Sequence, residues 1–254
     1  MGFTERLRGP DLVLSSWSTI PDPIVAEALA RDGWDACTID LQHGMIGYAE
    51  ARGLVMTISA LGKPVIVRLP LDGASIGARM LDLGVNGVIA PMINTAEDAE
   101  AFVAAMQFPP RGRRSWGAYR AVASGGYDRL DYLHEANGRL ALFAMVETRE
   151  AVDNLEAIAR TPGLTGLFVG PSELTISMTN GRGFEPDREP EVMEAMDRVV
   201  AIASENGLCP GIFTPNTAQA AARIERGFRF VTVGSDMSFI AASSAQALQA
   251  LRRS

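Results

Sequence analysis

The sequence predicts one domain, a (β/α)8 barrel that spans residues 1–254. Two observations predict this fold class. Short apolar runs alternate eight times with longer amphipathic or alanine-rich segments, which is the pattern of parallel strands joined by helices. Eight such units in 254 residues match the usual size of this barrel, and no linker-like change in composition divides the chain.

The apolar runs predict strands that are buried on both faces. Each run is rich in β-branched or other apolar residues and is bounded by Gly, Pro or Asp, as expected for a parallel sheet covered by helices. In chain order the predicted strands are residues 12–18, 34–40, 64–70, 87–93, 140–147, 165–171, 210–215 and 230–236.

The segments between the runs predict helices, for example residues 21–33 and 95–106. In the second segment, Thr95 followed by Asp98 predicts an N-cap with an acid in the first turn. A doubly wound open sheet is the alternative arrangement of the same elements. Its dinucleotide-binding version is weakened because no G-x-G-x-x-G pattern follows the first strand.

Residues 107–138 interrupt the alternation with a long segment rich in Gly and Arg. A loop of this length in a compact domain is usually functional or interfacial. A solvated excursion with some local helix is an equally open interpretation.

The composition excludes several classes of protein. A formal net charge of −7 argues against nucleic acid or an anionic membrane as the main partner. The sequence has no uncharged apolar run of about 18 residues, and residues 1–11 are charged from residue 5 and lack the apolar core expected of a secretory signal. Cys37 and Cys209 lie in apolar contexts, which favours buried thiols over a disulfide. We therefore expect a soluble cytoplasmic protein.

Polar residues recur at the carboxyl ends of the predicted strands. In a barrel these ends meet at one mouth, where catalytic side chains from separate strands converge. In chain order the residues are Asp40, His43, Arg68, Asn94, Glu147, Glu173, Asn216, Ser235 and Asp236. The base His43, the cation Arg68 and the carboxylates of Glu147 and Glu173 are therefore expected at the same mouth.

Each of these residues also has a structural interpretation. A single histidine at a strand end, such as His43, is more often a hydrogen-bonded rim residue than a base. Arg68 lies inside an apolar run, so its guanidinium needs an anionic partner. Glu147 closes another apolar run and needs a partner or a cation, whereas Glu173 could simply cap a helix. Two carboxylates without clustered Cys or His suit an ion such as Mg²⁺ or Mn²⁺.

The single lysine of the chain limits the reaction mechanisms that are possible. The chain has one lysine, Lys63, and the sequence places it at the start of the third strand, away from the catalytic mouth. A Schiff-base mechanism needs a desolvated lysine in that mouth, so the sequence argues against one. Cys37 in mid-strand and Cys209 at a strand start are also poorly placed as nucleophiles. Metal-assisted chemistry with His43 as acid or base remains.

An ordered set of motifs resembles the HpcH/HpaI aldolase family, which comprises class II pyruvate-dependent aldolases such as 4-hydroxy-2-oxoheptanedioate and 2-dehydro-3-deoxyglucarate aldolases. The motifs run from about Ser16 to Asp236. They are WSTIPDP, DGWDACTIDLQHG, VIVR, LDLGVNGVIAPMINT, PPRGRR, VETREA and GLFVGPSEL.

The resemblance implies a (β/α)8 barrel that assembles as a homo-hexamer, with the C-terminal helix exchanged between subunits. It implies that Glu147 and Glu173 hold Mg²⁺, Mn²⁺ or Co²⁺, which pyruvate chelates. The implied reaction is the reversible cleavage of a 4-hydroxy-2-oxo acid to pyruvate and an aldehyde through a metal-stabilised enolate.

The same resemblance assigns roles to further residues. Arg68 would pair with the carboxylate or keto oxygen of pyruvate, and backbone amides around Gly170 and Ser172 would accept the remaining carboxylate charge. His43 would serve the proton transfers. Asp82 matches the acid that the family pairs with this histidine, although the predicted strands place it just before the fourth strand, at the opposite end of the barrel. Asp40 is a second candidate for orienting His43 or contacting the aldehyde.

Two departures from the family pattern bear on the site. Glu173 stands where the family usually has Asp, which could alter metal preference or crowd the aldehyde. Relatives that accept an aldehyde with a terminal carboxylate place an arginine within residues 107–138, and here Val122 lies near that position. Arg120 could substitute for it; otherwise an uncharged hydroxy-aldehyde is expected.

Two other functions fit the same residues. One is a related carbon–carbon lyase or an oxaloacetate decarboxylase, because it would share the enolate. The other is a non-catalytic barrel in which the change to Glu173 has impaired the metal site.

Overall fold

A computed structural model describes residues 2–252 as a closed eight-stranded parallel barrel. The strands are β1 (Val13–Ser18), β2 (Ala36–Asp40), β3 (Val65–Arg68), β4 (Gly87–Ala90), β5 (Ala141–Val146), β6 (Gly166–Val169), β7 (Cys209–Thr214) and β8 (Phe230–Val233). Each strand pairs with the next in the chain, and β8 pairs with β1. This closing pair confirms the predicted barrel and rules out the open doubly wound sheet.

In residues 2–252, one helix precedes β1, one follows β8, and the others connect the strands and pack around the barrel. The helices are α1 (Phe3–Arg8), α2 (Pro23–Arg31), α3 (Tyr48–Ala60), α4 (Ala74–Asp82), α5 (Ala96–Met106), α6 (Tyr119–Gly125), α7 (Arg129–Arg139), α8 (Arg149–Asp153), α9 (Leu155–Ala159), α10 (Pro171–Met178), α11 (Pro190–Glu205), α12 (Thr217–Glu225) and α13 (Asp236–Arg252), with a 3-10 turn at Pro186–Arg188. The predicted cap of α5 is confirmed, because Thr95 Oγ1 accepts from Asp98 N at 3.1 Å.

The interior of the barrel is filled mainly by large apolar side chains. Successive residues of a strand point to opposite faces, so every second residue points inward. A buried inner cluster includes Trp17, Ile66, Phe143, Phe168 and Phe230. The alternation continues upward and places Asp40, Arg68 and Glu147 on the inner face near the carboxyl ends of their strands. The packed interior therefore forms the floor of the mouth.

The segment from residue 107 to 138 has a small core of its own. It carries α6 and most of α7, and a buried cluster including Phe108, Val122 and Tyr132 holds these helices together. The segment thus contains two helices and a small core of its own, while many of its residues, including 123–131, are exposed.

Helix α13 leaves the barrel after β8 and is exposed along most of its length. Its first turn is anchored, since the buried carboxylate of Asp236 accepts hydrogen bonds from Thr19 and from Ile20 N. Every residue from 241 to 252 is exposed. Across residues 2–252, no helix is long and apolar enough to cross a membrane.

Candidate active site

A buried ion pair stands at the carboxyl ends of β2 and β3. Asp40 and Arg68 are register partners in these strands, so both side chains point into the mouth. Arg68 Nε donates to Asp40 Oδ1 at 2.8 Å, and Nη2 donates to Oδ2 at 2.5 Å. The side chains are 8% and 2% exposed. Asp40 is therefore the anionic partner that the buried Arg68 was expected to need.

Trp17 of β1 supports this pair from the barrel interior. Its indole Nε1 donates to Asp40 Oδ2 at 3.3 Å, and its ring lies 4.9 Å from the guanidinium carbon of Arg68. Phe168 stacks on Trp17, and Phe213 contacts it edge-on. The position of the guanidinium is thus set by a carboxylate on one side and an aromatic face on the other.

The carboxyl group of Asp40 stays ionised despite its burial. Burial alone raises its pKa, but the hydrogen bonds and charge of Arg68, aided by the backbone N–H groups of His43 and Gln42, outweigh that effect and lower the pKa below the usual aspartate value. This matters for the site because a neutral Asp40 would leave the Arg68 charge buried without a counter-charge.

His43 lies in the loop that follows β2 and is exposed. The loop folds back on the strand, since Asp40 Oδ1 accepts from Gln42 N at 3.0 Å and His43 N at 3.2 Å. The turn is so tight that a β-carbon on Gly44 would overlap the carbonyl oxygen of Asp40. Asp40 therefore orients the backbone of His43, while the imidazole itself stands at the solvent edge of the mouth.

Glu147 follows β5 directly and is 2% exposed. Its Oε1 accepts from Met92 N at 2.6 Å. Burial raises the pKa of this carboxyl above the usual glutamate value; the Met92 N–H lowers it, the charge of Glu173 raises it further, and the charge of Arg68 lowers it. A buried carboxylate under these influences gains from a nearby cation.

Glu173 lies in the first turn of α10 and faces Glu147 across a small space. A β-carbon on Gly170 would lie 3.1 Å from Glu173 Oε2 and 3.2 Å from Glu147 Oε2. It would also lie 2.5 Å from Met145 Cε. Only glycine leaves this space open, and two carboxylate oxygens border it.

This pair of carboxylates fits a hard divalent cation. Mg²⁺ in proteins is commonly held by one or two carboxylates, with water and substrate oxygens completing its shell. Within residues 2–252, no group of three or more His, Cys, Asp or Glu side chains is placed to hold a metal. The candidate site therefore consists of Glu147 and Glu173 alone, and the extra methylene of Glu173 does not prevent its oxygen from reaching the shared space.

The start of α10 provides donors beside the carboxylates. Gly170 is the N-cap, Pro171 is the first helical residue, and Ser172 follows it. The first N–H groups of a helix have no intrahelical acceptor, so the amides of Ser172 and Glu173 are available to an anion at this end. Gly170 N itself lies 3.4 Å from Val146 O and is already engaged.

Asp82 is the last residue of α4 and lies far from this cluster in the topology, because a helix that follows a strand runs back to the amino end of the barrel. There Arg114 Nη2 donates to Asp82 Oδ1 at 2.6 Å. The Arg114 side chain is 0% exposed. Within one subunit, Asp82 therefore joins segment 107–138 to α4 and is not brought to His43.

Arg120 also lies at the amino end of the barrel. Its Nη1 donates to the carbonyl oxygen of Leu83, just past the end of α4. Val122, which the family resemblance predicts to lie near an arginine of some relatives, is buried in the small core of the segment. Within one subunit neither residue reaches the mouth that holds Glu147.

Lys63, Cys37 and Cys209, which the sequence argued against as nucleophiles, have structural roles or are buried. Lys63 Nζ donates to the carbonyl oxygens of Trp34 at 2.6 Å and Asp32 at 3.2 Å, near the end of α2. Cys37 and Cys209 are buried and free. Burial raises the pKa of Cys209 to about 12, so its thiolate is disfavoured.

Three contributors to the mouth were missed by sequence reasoning. Trp17 was part of a recognised motif but gave no signal that it would contact Asp40 and Arg68. The backbone N–H of Met92 carries no residue-type signal at all. Gly170 was noted for its amide, whereas the space left by its missing side chain becomes visible only when Glu147 and Glu173 are in place.

Comparisons with known proteins agree on one family. The sequence model of the HpcH/HpaI aldolase/citrate lyase family matches residues 14–242. A crystal structure of an HpcH/HpaI aldolase/citrate lyase family protein from Burkholderia cenocepacia superposes with a TM-score of 0.90 at 36% identity, covering 98% of both chains.

Two similar sequences belong to aldolases. A hydroxypyruvate/pyruvate aldolase of Rhizorhabdus wittichii is 33% identical over 235 residues, covering 92% of both chains. A 5-keto-4-deoxy-D-glucarate aldolase of Escherichia coli is 32% identical over 237 residues, covering 92% of this chain and 90% of the other.

Proposed function

This chain belongs to the HpcH/HpaI aldolase/citrate lyase family, and from that premise we propose that it is a divalent-metal-dependent aldolase. It would reversibly cleave a 4-hydroxy-2-oxo acid to pyruvate and an aldehyde. Membership of the family supports a carbon–carbon lyase of the aldolase type. The name of one similar aldolase supports pyruvate, or hydroxypyruvate, as the oxo-acid product of the cleavage.

The observation that carries the metal dependence is the convergence of Glu147 and Glu173 on the space beside Gly170. A divalent ion bound there, whether Mg²⁺, Mn²⁺ or Co²⁺, would supply positive charge that stabilises an enolate. The same geometry argues against a non-catalytic barrel, because Glu173 has kept the reach that a metal ligand needs.

Arg68 is the residue best placed to orient the oxo acid. Asp40 binds its Nε and Nη2, so the guanidinium is held in one orientation and Nη1 lies outside the pair. The attraction between a preorganised, buried cation and a substrate oxygen grows as negative charge develops on that oxygen, because little water competes for it. The amides at the start of α10 would bind the carboxylate of the same substrate.

His43 would carry the proton transfers of the reaction. In cleavage, a base removes the proton of the 4-hydroxyl, the C3–C4 bond breaks, and the aldehyde carbonyl forms. The electron pair of that bond remains on the three-carbon fragment as an enolate, which is then protonated at C3 to give pyruvate. The exposed position of His43 at the edge of the mouth suits exchange of these protons with solvent.

The assembly is part of the proposal. We place this chain in a homo-hexamer in which α13 packs on a neighbouring subunit. In that assembly Asp82 would reach the His43 of a neighbour. If Arg120, which binds Leu83 O beside Asp82, does not reach the same site, the aldehyde would be an uncharged hydroxy-aldehyde. The exposure of residues 241–252, and the position of Asp82 at the end of α4 beside Arg114, support this arrangement. The free buried cysteines support a cytoplasmic location.

The test does not require the aldehyde to be known. The protein is incubated with pyruvate in D₂O, with Mg²⁺ or Mn²⁺ and then with EDTA, and exchange of the methyl protons is followed by NMR. We expect exchange that needs both protein and metal. We also expect Glu147→Ala to abolish it and His43→Ala to slow it by roughly 10²–10⁴-fold.

Two results would contradict the proposal. Full exchange in EDTA would show that the reaction does not need a metal. Exchange no faster than in an enzyme-free blank, with metal shown to be bound, would show that pyruvate is not the substrate. Glu173→Asp is the matched variant, and it should preserve or increase the rate because it restores the usual family ligand.

A further inference from the structure

Met92 has an unusual backbone conformation beside the Glu147 carboxylate. It lies in the loop between β4 and α5, and its φ angle is +54°. A non-glycine residue rarely adopts this left-handed conformation, and where it does the surrounding structure imposes it, often at a functional site. In this conformation its N–H points at Glu147 Oε1, 2.6 Å away.

The loop is fixed on the far side of Met92. Ile93 is buried in the main core, and Asn94 N and Thr95 N both donate to Asp98 Oδ2 at 3.0 Å. These contacts tie the chain after Met92 to the capped end of α5. The direction of the Met92 N–H is therefore set by the loop and does not depend on its own side chain, which is 43% exposed.

The loop is also tied to the residue that follows Glu147. Thr148 Oγ1 lies 2.6 Å from Asn94 Oδ1, and Asn154 Nδ2 donates to Asn94 O at 2.9 Å. Asn94 lies two residues after Met92, and Thr148 lies one residue after Glu147. Their hydrogen bond therefore joins the two segments close to the Met92–Glu147 pair. The hydrogen bond between Met92 N and Glu147 Oε1 is therefore held in place by the contacts around it.

The two oxygens of Glu147 consequently face different partners. Oε1 is taken by the Met92 N–H, while Oε2 borders the space beside Gly170 that Glu173 Oε2 also borders. We propose that the backbone of Met92 is a positioning element of the metal site, which holds Glu147 so that Oε2 is the oxygen offered to the cation. This inference rests on the proposed function, because it concerns the metal of that reaction.

The experiment removes this single N–H. The α-hydroxy analogue of methionine is incorporated at position 92 of the full-length protein, which turns the amide into an ester and keeps the side chain. Mn²⁺ affinity is measured by electron paramagnetic resonance of the free ion. We expect affinity to fall roughly tenfold to a hundredfold, the usual effect of losing a hydrogen bond to a metal ligand.

Two controls separate positioning from a general loss of structure. The same analogue at Met45 removes a loop N–H that donates to the carbonyl oxygen of Thr19 at 2.9 Å, and it should leave Mn²⁺ affinity nearly unchanged. Met92→Ala keeps the amide and should also retain the affinity. Thermal unfolding without metal is recorded for every variant, so that an affinity loss can be assigned to a folded protein.

A second measurement uses the unmodified chain. In protein labelled with ¹⁵N-methionine, the Met92 amide proton should resonate far downfield because its acceptor is a close carboxylate, and Met92→Ala assigns the signal by its loss. We expect the downfield position to persist when Mg²⁺ is added, since Oε1 keeps its hydrogen bond.

The outcomes are distinct. An ester at Met92 that binds Mn²⁺ as tightly as the wild type, or a Met92 amide signal that leaves its downfield position on Mg²⁺ addition, would overturn the positioning role and leave the aldolase proposal intact. Failure of the wild type to bind Mn²⁺ would instead overturn the metal dependence, and the positioning role with it.

Discussion

At the scale of single residues, the chemistry of the mouth depends on two buried acids whose pKa values shift in opposite directions. The pKa of Glu147 is raised, with burial as the largest cause, whereas the pKa of Asp40 is lowered because Arg68 and two backbone N–H groups outweigh its burial. Glu147 lacks a cationic hydrogen-bond partner and Asp40 has one. The two carboxyl groups are therefore suited to different tasks, one to binding an added cation and one to holding a resident one.

Glu147→Gln should stabilise the protein in EDTA. The raised pKa means that the ionised side chain costs folding free energy above the folded-state pKa, and glutamine removes the charge while Oε1 can still accept from Met92 N. The midpoint of thermal unfolding should rise, each 1 kcal/mol being worth about 2–4 °C in a chain of this size.

The same variant should lose the stabilisation that Mg²⁺ gives the wild type. For wild type, metal binding should weaken as pH falls through the raised pKa, at a higher pH than for an ordinary glutamate. The exposed Glu150 provides the control, since Glu150→Gln should change neither quantity. An unchanged melting midpoint in EDTA for Glu147→Gln would contradict the predicted cost of the buried charge.

Asp40→Asn should destabilise the protein near neutral pH, because it leaves the Arg68 charge buried with no counter-charge. Removing one partner of a buried pair costs about 3–5 kcal/mol. The folded-state pKa of Asp40 is lowered, so its contribution to stability is present above the ordinary aspartate pKa of about 3.9 and is lost as pH falls through the folded value.

Urea denaturation of wild type and Asp40→Asn at several pH values checks this prediction. The difference in free energy of unfolding should be constant near neutrality and shrink in strong acid. Asp72, exposed in the loop after β3, is the control, and Asp72→Asn should have little effect. A difference that does not depend on pH would show that the Asp40 charge is not what stabilises the mouth.

At the scale of elements, one ion pair joins the long segment between α5 and β5 to the barrel. Arg114 is fully buried, and Asp82 at the end of α4 is its partner. The guanidinium carbon of Arg114 also lies 4.4 Å from the ring of Phe108, inside the small core of the segment. The segment therefore depends on α4 for the carboxylate that neutralises the buried guanidinium of Arg114.

Asp82→Ala should loosen segment 107–138 more than the barrel. The loss of one partner of the pair costs up to about 3–5 kcal/mol, and the partial exposure of Asp82 reduces that figure. Hydrogen exchange followed by mass spectrometry should show faster exchange in α6 and α7 than in the strands. Glu27→Ala, which breaks the exposed pair with Arg31, is the control and should cost no more than about 0.5 kcal/mol. Equal exchange in both variants would contradict the anchoring role of Asp82.

At the scale of the whole molecule, α13 is the element that the barrel leaves uncovered. Phe239 stacks on Trp34 near the start of the helix, and every residue from 241 to 252 is exposed. Exposed apolar residues include Ile240 at 54% and Leu248 at 49%. A helix in a folded protein usually buries one apolar face, so this face is suited to a second copy of the chain.

If α13 mediates the proposed assembly, a chain truncated after Ile240 should keep the barrel and no longer form that assembly. It retains the Asp236 contacts with Thr19 and the stacking of Phe239, which anchor the first turn. Light scattering coupled to size-exclusion chromatography should show a smaller assembly than the full-length chain. The circular dichroism spectrum should lose only the helical signal of residues 241–252, which the truncation removes. Leu248→Glu should act in the same direction, while the exposed Ser243→Glu on the same helix tests whether charge alone is responsible. A truncated chain of unchanged assembly size would contradict the role of α13.

The strand positions could be predicted because they depend on short stretches of local sequence. The predicted strand runs each contain an observed strand, apart from a one-residue shift at the start of β7. A parallel strand buried on both faces is usually rich in apolar residues along its whole length, and such a run is visible in the sequence. The order of the polar residues along the chain then places Asp40, Arg68, Glu147 and Glu173 near one mouth, since a closed barrel brings all carboxyl ends of its strands to one side.

The sequence by itself determined the barrel, the side of the barrel that carries the chemistry and the types of residue found there. Only the tertiary structure decided which of those residues touch. The Arg68 pair with Asp40, the Met92 N–H on Glu147, the space left by Gly170 and the diversion of Asp82 to Arg114 all join residues distant in sequence. Periodicity records which face of a strand is buried, whereas a contact across the barrel depends on register, closure and rotamer, and these exist only in the folded chain.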